Sequence, residues 1–130
     1  MSPRYTDRYG FDPAHYVAKG AITLSPQALA LARQFVVDKR RFDPNRRWIA
    51  AFRWCVARTM RWNVDHETID EGPGIDVMCL GYSQVPPDAV EIVDGLPVIF
   101  ILPPEVVAAA KTKTMVEIRT NSGRASFALE

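Results

Sequence analysis

Between residues 47 and 58 the chain alternates with period two: Trp48, Ala50, Phe52, Trp54 and Val56 interleave with Ile49, Ala51, Arg53, Cys55 and Ala57. A strand sends successive side chains to opposite faces, so this pattern predicts a strand with one strongly apolar face. Ile75 to Ser83 predicts a second strand, apolar on both faces and therefore central. Ala89–Val93 and Val98–Leu102 flank Asp94-Gly95, a dipeptide that favours a type I′ hairpin turn. Thr114–Thr120 and Ala125–Leu129 predict a last hairpin around Asn121-Ser122-Gly123.

Two helices punctuate these strands. Ser25-Pro26 joins an N-cap hydroxyl to a proline at the first helical position. Leu29, Ala32, Phe35 and Val36 then recur at helical spacing, and Lys39-Arg40-Arg41 suit the negative C-terminal end of the dipole. Asp43-Pro44-Asn45 ends the element, giving a helix over 25–40. Pro103-Pro104-Glu105 opens a short helix through Ala110. Residues 1–20 lack either period and read as an irregular, aromatic-bearing extension, ahead of a single domain over 21–130. Asn63–Gly74 reads as an acidic loop. The resulting fold class is α+β: a mainly antiparallel twisted sheet with one longer N-terminal helix and one short helix.

At 130 residues and 48% hydrophobic content the chain suits one globular domain and excludes general disorder. Sixteen Lys+Arg against fifteen Asp+Glu give a net charge of +1, but the balance is segregated. Lys39–Arg61 carries eight basic residues and one acid, whereas Asp65–Asp94 carries eight acids and no Lys or Arg. These blocks either sustain self-association or, as the expectation here, neutralise each other on neighbouring strands within one molecule. No leader or apolar span of about 20 residues is visible, so the expectation is a soluble cytoplasmic protein with no membrane contact.

Catalytic signatures are absent: there is no G-x-S-x-G, H-E-x-x-H, G-x-x-x-x-G-K-[ST] or paired C-x-x-C. His66, within Asp65-His66-Glu67, could hold a divalent cation or act as a general base, although an exposed acidic loop accounts for it. Cys55 and Cys79 are too few for a disulfide framework and supply two of the four donors a tetrahedral metal needs, so they read as buried thiols. Arg58, Arg61 and Trp62 lie beyond the alternating strand and form the exposed group suited to single-stranded nucleic acid. The alternation itself argues against such binding, because Trp48, Phe52 and Trp54 belong to a core face.

The stretch Ala21-Ile22-Thr23-Leu24-Ser25-Pro26-Gln27-Ala28-Leu29 resembles the opening of A-type iron–sulfur carrier (HesB/IscA-like) domains. Val93-Asp94-Gly95-Leu96-Pro97-Val98-Ile99-Phe100-Ile101 is similar to that family's D-G hairpin. The short helix after Pro103-Pro104, the strand Met115–Ile118 and the final Ala125-Ser126-Phe127-Ala128-Leu129 follow in the family's order. The resemblance spans about 21–130 and implies a HesB-like β-rich domain. Its carriers ligate iron or a cluster through three cysteines, one after a glycine-rich turn and two in a C-terminal Cys-Gly-Cys. Here Arg58-Thr59-Met60-Arg61-Trp62-Asn63 follows the first strand, and the sequence reaches Glu130 without the Cys-Gly-Cys. Cys55 lies near the first ligand's region and Cys79 matches none, so no ligand residue carries over.

The expected function is therefore a non-enzymatic HesB-like domain without cluster ligation or cofactor, binding an unknown protein partner or itself. One alternative is an iron or cluster carrier using Cys55 and Cys79 from two subunits with His66 or carboxylates. A second is a small enzyme built on His66 amid carboxylates.

Overall fold

The computed structural model describes residues 11–61, 68–120 and 122–130. In chain order the elements are β1 (Thr23–Leu24), α1 (Pro26–Phe42), β2 (Trp48–Cys55), β3 (Thr59–Arg61) and β4 (Thr68–Asp70). There follow β5 (Gly74–Gly81), β6 (Glu91–Val93), β7 (Leu96–Ile101), α2 (Pro104–Ala109), β8 (Thr114–Arg119) and β9 (Ala125–Leu129). Seven strands form one sheet in the order β1-β8-β9-β5-β2-β7-β6, and β3 and β4 form a separate ribbon.

The local signals act where expected. Ser25 Oγ accepts from the Ala28 amide at 3.1 Å and Pro26 occupies the first turn, which fixes the start of α1. Asp94 (φ 48°) and Gly95 (φ 79°) both adopt the left-handed region that a type I′ turn demands, joining β6 to β7.

The sheet is mixed, not mainly antiparallel. β1 runs parallel to β8, and β2 runs parallel to β7, with Ala50 opposite Val98 and Phe52 opposite Phe100. The sheet curls into a half-barrel with one long helix against it. Hairpin signals specify only sequence neighbours, whereas both parallel pairs join strands separated by other elements, so the local pattern could not report them. A second correction concerns residues 63–74, read as loop: Thr68–Asp70 pairs antiparallel with Thr59–Arg61.

β5 lies at the middle of the sheet, as its two apolar faces predict, and β2 is the interior strand beside it, buried on both faces rather than one. Trp48, Ala50 and Phe52 point toward α1, where they meet Ala28, Ala32 and Val36, together with Val98, Phe100 and Phe127. Phe52 stacks on Phe100 at 5.4 Å between ring centres and meets Phe127 edge-on at 4.9 Å. Ile49 and Ala51 point to the other face, which Leu80, Val85, Val90, Ile99 and Ile101 complete. Residues 15–17 bond along β7, through Leu102 N to His15 O and Val17 N to Phe100 O. Both outermost strands border one open groove beside α1, of about 310 Å³, which Leu24 of β1 and Val93 of β6 line with Leu29 and Arg33.

The apolar face of α1 is narrower than the sequence spacing implied. Phe35 is 45% exposed and Phe42 is 91% exposed, because the small residues Ala28 and Ala32 sit closest to the sheet. Phe52→Ala is expected to cost about 3–5 kcal/mol of stability in chemical denaturation, whereas Phe42→Ala should change it by less than about 0.5 kcal/mol.

Candidate functional site

The register of β2 against β5 decides what the two thiols can do. Cys55 pairs with Gly74, and Cys79 pairs with Ala50, five positions back along the ladder. At about 3.3 Å per residue the cysteines are roughly 17 Å apart along the strands. Paired residues share a face, so Cys79 lies with Ala50 toward α1, while Cys55 lies on the opposite side with Arg53. Both are free and half-buried. Burial pushes each thiol above its ordinary pKa, with Arg53 opposing this at Cys55 and Lys39 at Cys79. Neither residue is a poised thiolate, and within one chain they form neither a disulfide nor a shared metal site.

Just past β2, on the face of Cys55, lies a dense polar cluster centred on Arg58. Arg58 Nε donates to Gly72 O at 3.0 Å, and Nη1 donates to Asp76 Oδ1 at 2.8 Å and Ser126 Oγ at 2.6 Å. Nη2 reaches the carbonyls of Glu71 and Pro73, both at 3.4 Å. A guanidinium has five N–H donors, and all five are engaged. The side chain is only 9% exposed. Ser126 in turn donates to the Ile75 carbonyl at 2.7 Å. Arg124 completes the network, donating from Nε to Glu71 Oε1 at 3.1 Å and from Nη2 to Asp76 Oδ2 at 3.2 Å. Glu71 Oε2 is buried without a hydrogen-bond partner among the described residues.

This cluster is the root of the β3–β4 ribbon, since Arg58 precedes β3, Glu71 follows β4, and the Glu71 amide donates to Arg58 O at 2.8 Å. Gly74 is required there, because a Cβ at that position would run into the Arg58 guanidinium. Arg58 therefore acts as a fastener between ribbon, β5 and β9, with no donor left for a phosphate. Arg61 ends β3, and Trp62 and His66 lie outside the described residues. Among the described residues no three His, Cys, Asp or Glu side chains group as metal ligands.

The opposite end of β2 is different. Lys39, Arg40 and Arg41 close α1, and Arg46 and Arg47 lead into β2. Lys39 Nζ lies 4.9 Å and the Arg46 guanidinium 5.7 Å from the Trp48 ring centre, and Arg47 stacks over Tyr82 at 4.5 Å. Trp48 itself is buried and donates from Nε1 to Asp43 O at 2.8 Å. Arg46 pairs with Asp43 at 3.8 Å, but Lys39, Arg40, Arg41 and Arg47 hold no ion pair among the described residues. Among the described residues, the ion pair that joins the basic and acidic blocks is Arg58 with Asp76. The sequence signal for this end was present in the Lys39–Arg47 charges; what it lacked was the exposure of Phe42 beside them.

Among the described residues no helix is long and apolar enough to cross a membrane. No family model, curated protein or solved structure matches this chain.

Replacing Arg58 by Ala leaves Asp76 with Arg124 and Ser126 as donors but removes the donors to the Glu71, Gly72 and Pro73 carbonyls, and should cost about 1–3 kcal/mol in urea denaturation. Arg58→Lys should recover little of this, because an ammonium has three donors and no fork. A loss below about 1 kcal/mol for Arg58→Ala would contradict the fastener role. The Thr120 and Ser122 hydroxyls and the Arg124 guanidinium hold the Glu71 carboxyl at about 2, against an ordinary value of 4.5. A folded pKa below the unfolded one stabilises above the unfolded value and is lost as pH falls from about 4.5 toward 2. Glu71→Gln should therefore flatten the acid limb of stability measured across that window, and an unchanged limb would refute it.

Proposed function

We propose that the protein is a non-enzymatic binding or interaction domain of HesB-like type that does not ligate an iron–sulfur cluster through its own thiols. The order of elements supports the resemblance: a short strand, a Ser-capped helix, a D-G hairpin, a proline-led short helix and two closing strands. The resemblance itself rests on sequence patterns around Ala21–Leu29, Val93–Ile101 and Ala125–Leu129.

One observation carries the functional reading. Thiolates sharing one metal lie within about 4 Å of each other, given metal–sulfur bonds near 2.3 Å. Cys55 and Cys79 lie on opposite faces of the sheet, five ladder positions apart. Bringing them together would require breaking the β2–β5 ladder that both cores depend on. Burial also raises both thiol pKa values, which opposes the deprotonation that metal capture requires.

Anaerobic reconstitution with ferrous iron and sulfide, followed by desalting, visible absorption and metal analysis, tests this directly. The expected result is colourless protein without stoichiometric iron. Stable brown protein whose colour is lost in Cys55→Ser or Cys79→Ser would overturn the reading in favour of a carrier that pairs cysteines between subunits.

A further inference from the structure

We infer that the basic end of β2 is a docking surface for single-stranded nucleic acid, with Phe42 as a stacking platform and the surrounding guanidiniums as phosphate contacts. The surface gives a partner class to the interaction reading above and rests on it in that respect alone.

The region from Asp38 to Trp48 carries five cations against two carboxylates, a net +3. Of the carboxylates, Asp38 accepts from Gln34 Nε2 at 2.8 Å and Asp43 faces Arg46. Lys39, Arg40 and Arg41 suit the negative C-terminal end of α1. The helix dipole does not explain Arg46 and Arg47, which lie beyond the helix, and it does not explain Phe42. The Phe42 ring is 91% exposed and is not among the residues packed on either core. Single-strand binding needs this pairing of features: cations that track the backbone and a ring on which an unpaired base stacks.

The cations are mostly arginine, whose forked donors match phosphate oxygens in pairs. Trp48 anchors the region rigidly, gripped by Lys39 and Arg46 and tied through Nε1 to Asp43 O. Arg47 stacks over Tyr82, which packs with the smaller core on the other face of the sheet. Asp and Glu side chains would satisfy the charges but carry no ring to stack on Phe42. Duplex bases are already stacked on each other, so a duplex leaves Phe42 without a partner. A single exposed ring is also a weak bilayer anchor. The surface stands at the far end of β2 from Arg58, whose donors are all internal.

The test is fluorescence anisotropy of labelled oligo(dT) and oligo(U) with the full chain, at several salt concentrations. A duplex, poly-glutamate and phosphatidylserine vesicles serve as comparison probes. Preference for the single strands is expected and, with four contributing cations, a slope of log K against log salt near −3. The double variant Arg40→Ala/Arg41→Ala should reduce that slope by roughly 1.4. Phe42→Ala should weaken binding roughly tenfold with the slope unchanged. Absence of oligonucleotide binding at low salt overturns the inference, as does equal or tighter binding of duplex, poly-glutamate or vesicles. Oligonucleotide binding indifferent to Phe42→Ala also overturns it. None of these outcomes bears on iron loading, so failure here and failure of the reconstitution result are separately readable.

Discussion

The two-sided ladder of β2 is the constraint on which the rest of the molecule depends. This strand pairs with β5 along its full length and with β7 over Ala50–Arg53, so its middle is hydrogen-bonded on both edges. Its side chains then feed two cores at once. Trp48, Ala50 and Phe52 build the larger core under α1, and Ile49 and Ala51 build the smaller one opposite. A shift of one residue in register would exchange those sets and leave neither core intact, which is why the register is strongly specified.

The functional consequences follow from position along that strand. At its start, the last turn of α1 and the loop after it deliver cations and an exposed ring, with Trp48 as the buried pivot. At its end, the chain leaves the sheet for the β3–β4 ribbon, and the buried guanidinium of Arg58 ties the ribbon back. Arginine is therefore used in two opposite ways within twenty residues: saturated and internal at 58, stacked on Tyr82 and available at 47. Among the described residues the two charge blocks pair only at Arg58 and Asp76. The basic block divides between one closed network and one open surface.

Much of the local structure was legible in the sequence. The alternation of 48–55, the Ser25-Pro26 start of α1 and the Asp94-Gly95 turn each reflect chemistry within a few residues. What escaped was everything non-local. The parallel pairing of β2 with β7 leaves no mark on either segment, so the sheet read as antiparallel when it is mixed. The Thr68–Asp70 strand was hidden by its acidic surroundings. Arg58 looked exposed because it follows the strand, yet its acceptors lie 13 to 68 positions away in the sequence. The separation of Cys55 from Cys79 depends on register, which neither segment encodes alone.

That separation is open to direct measurement, because the protein has two cysteines and both are free and partly accessible. Nitroxide labels on Cys55 and Cys79 of the unmodified chain, read by pulsed electron paramagnetic resonance, should give distances beyond about 17 Å. A dominant population within about 10 Å would place the thiols on one face, contradict the β2–β5 register, and return cluster ligation to this domain.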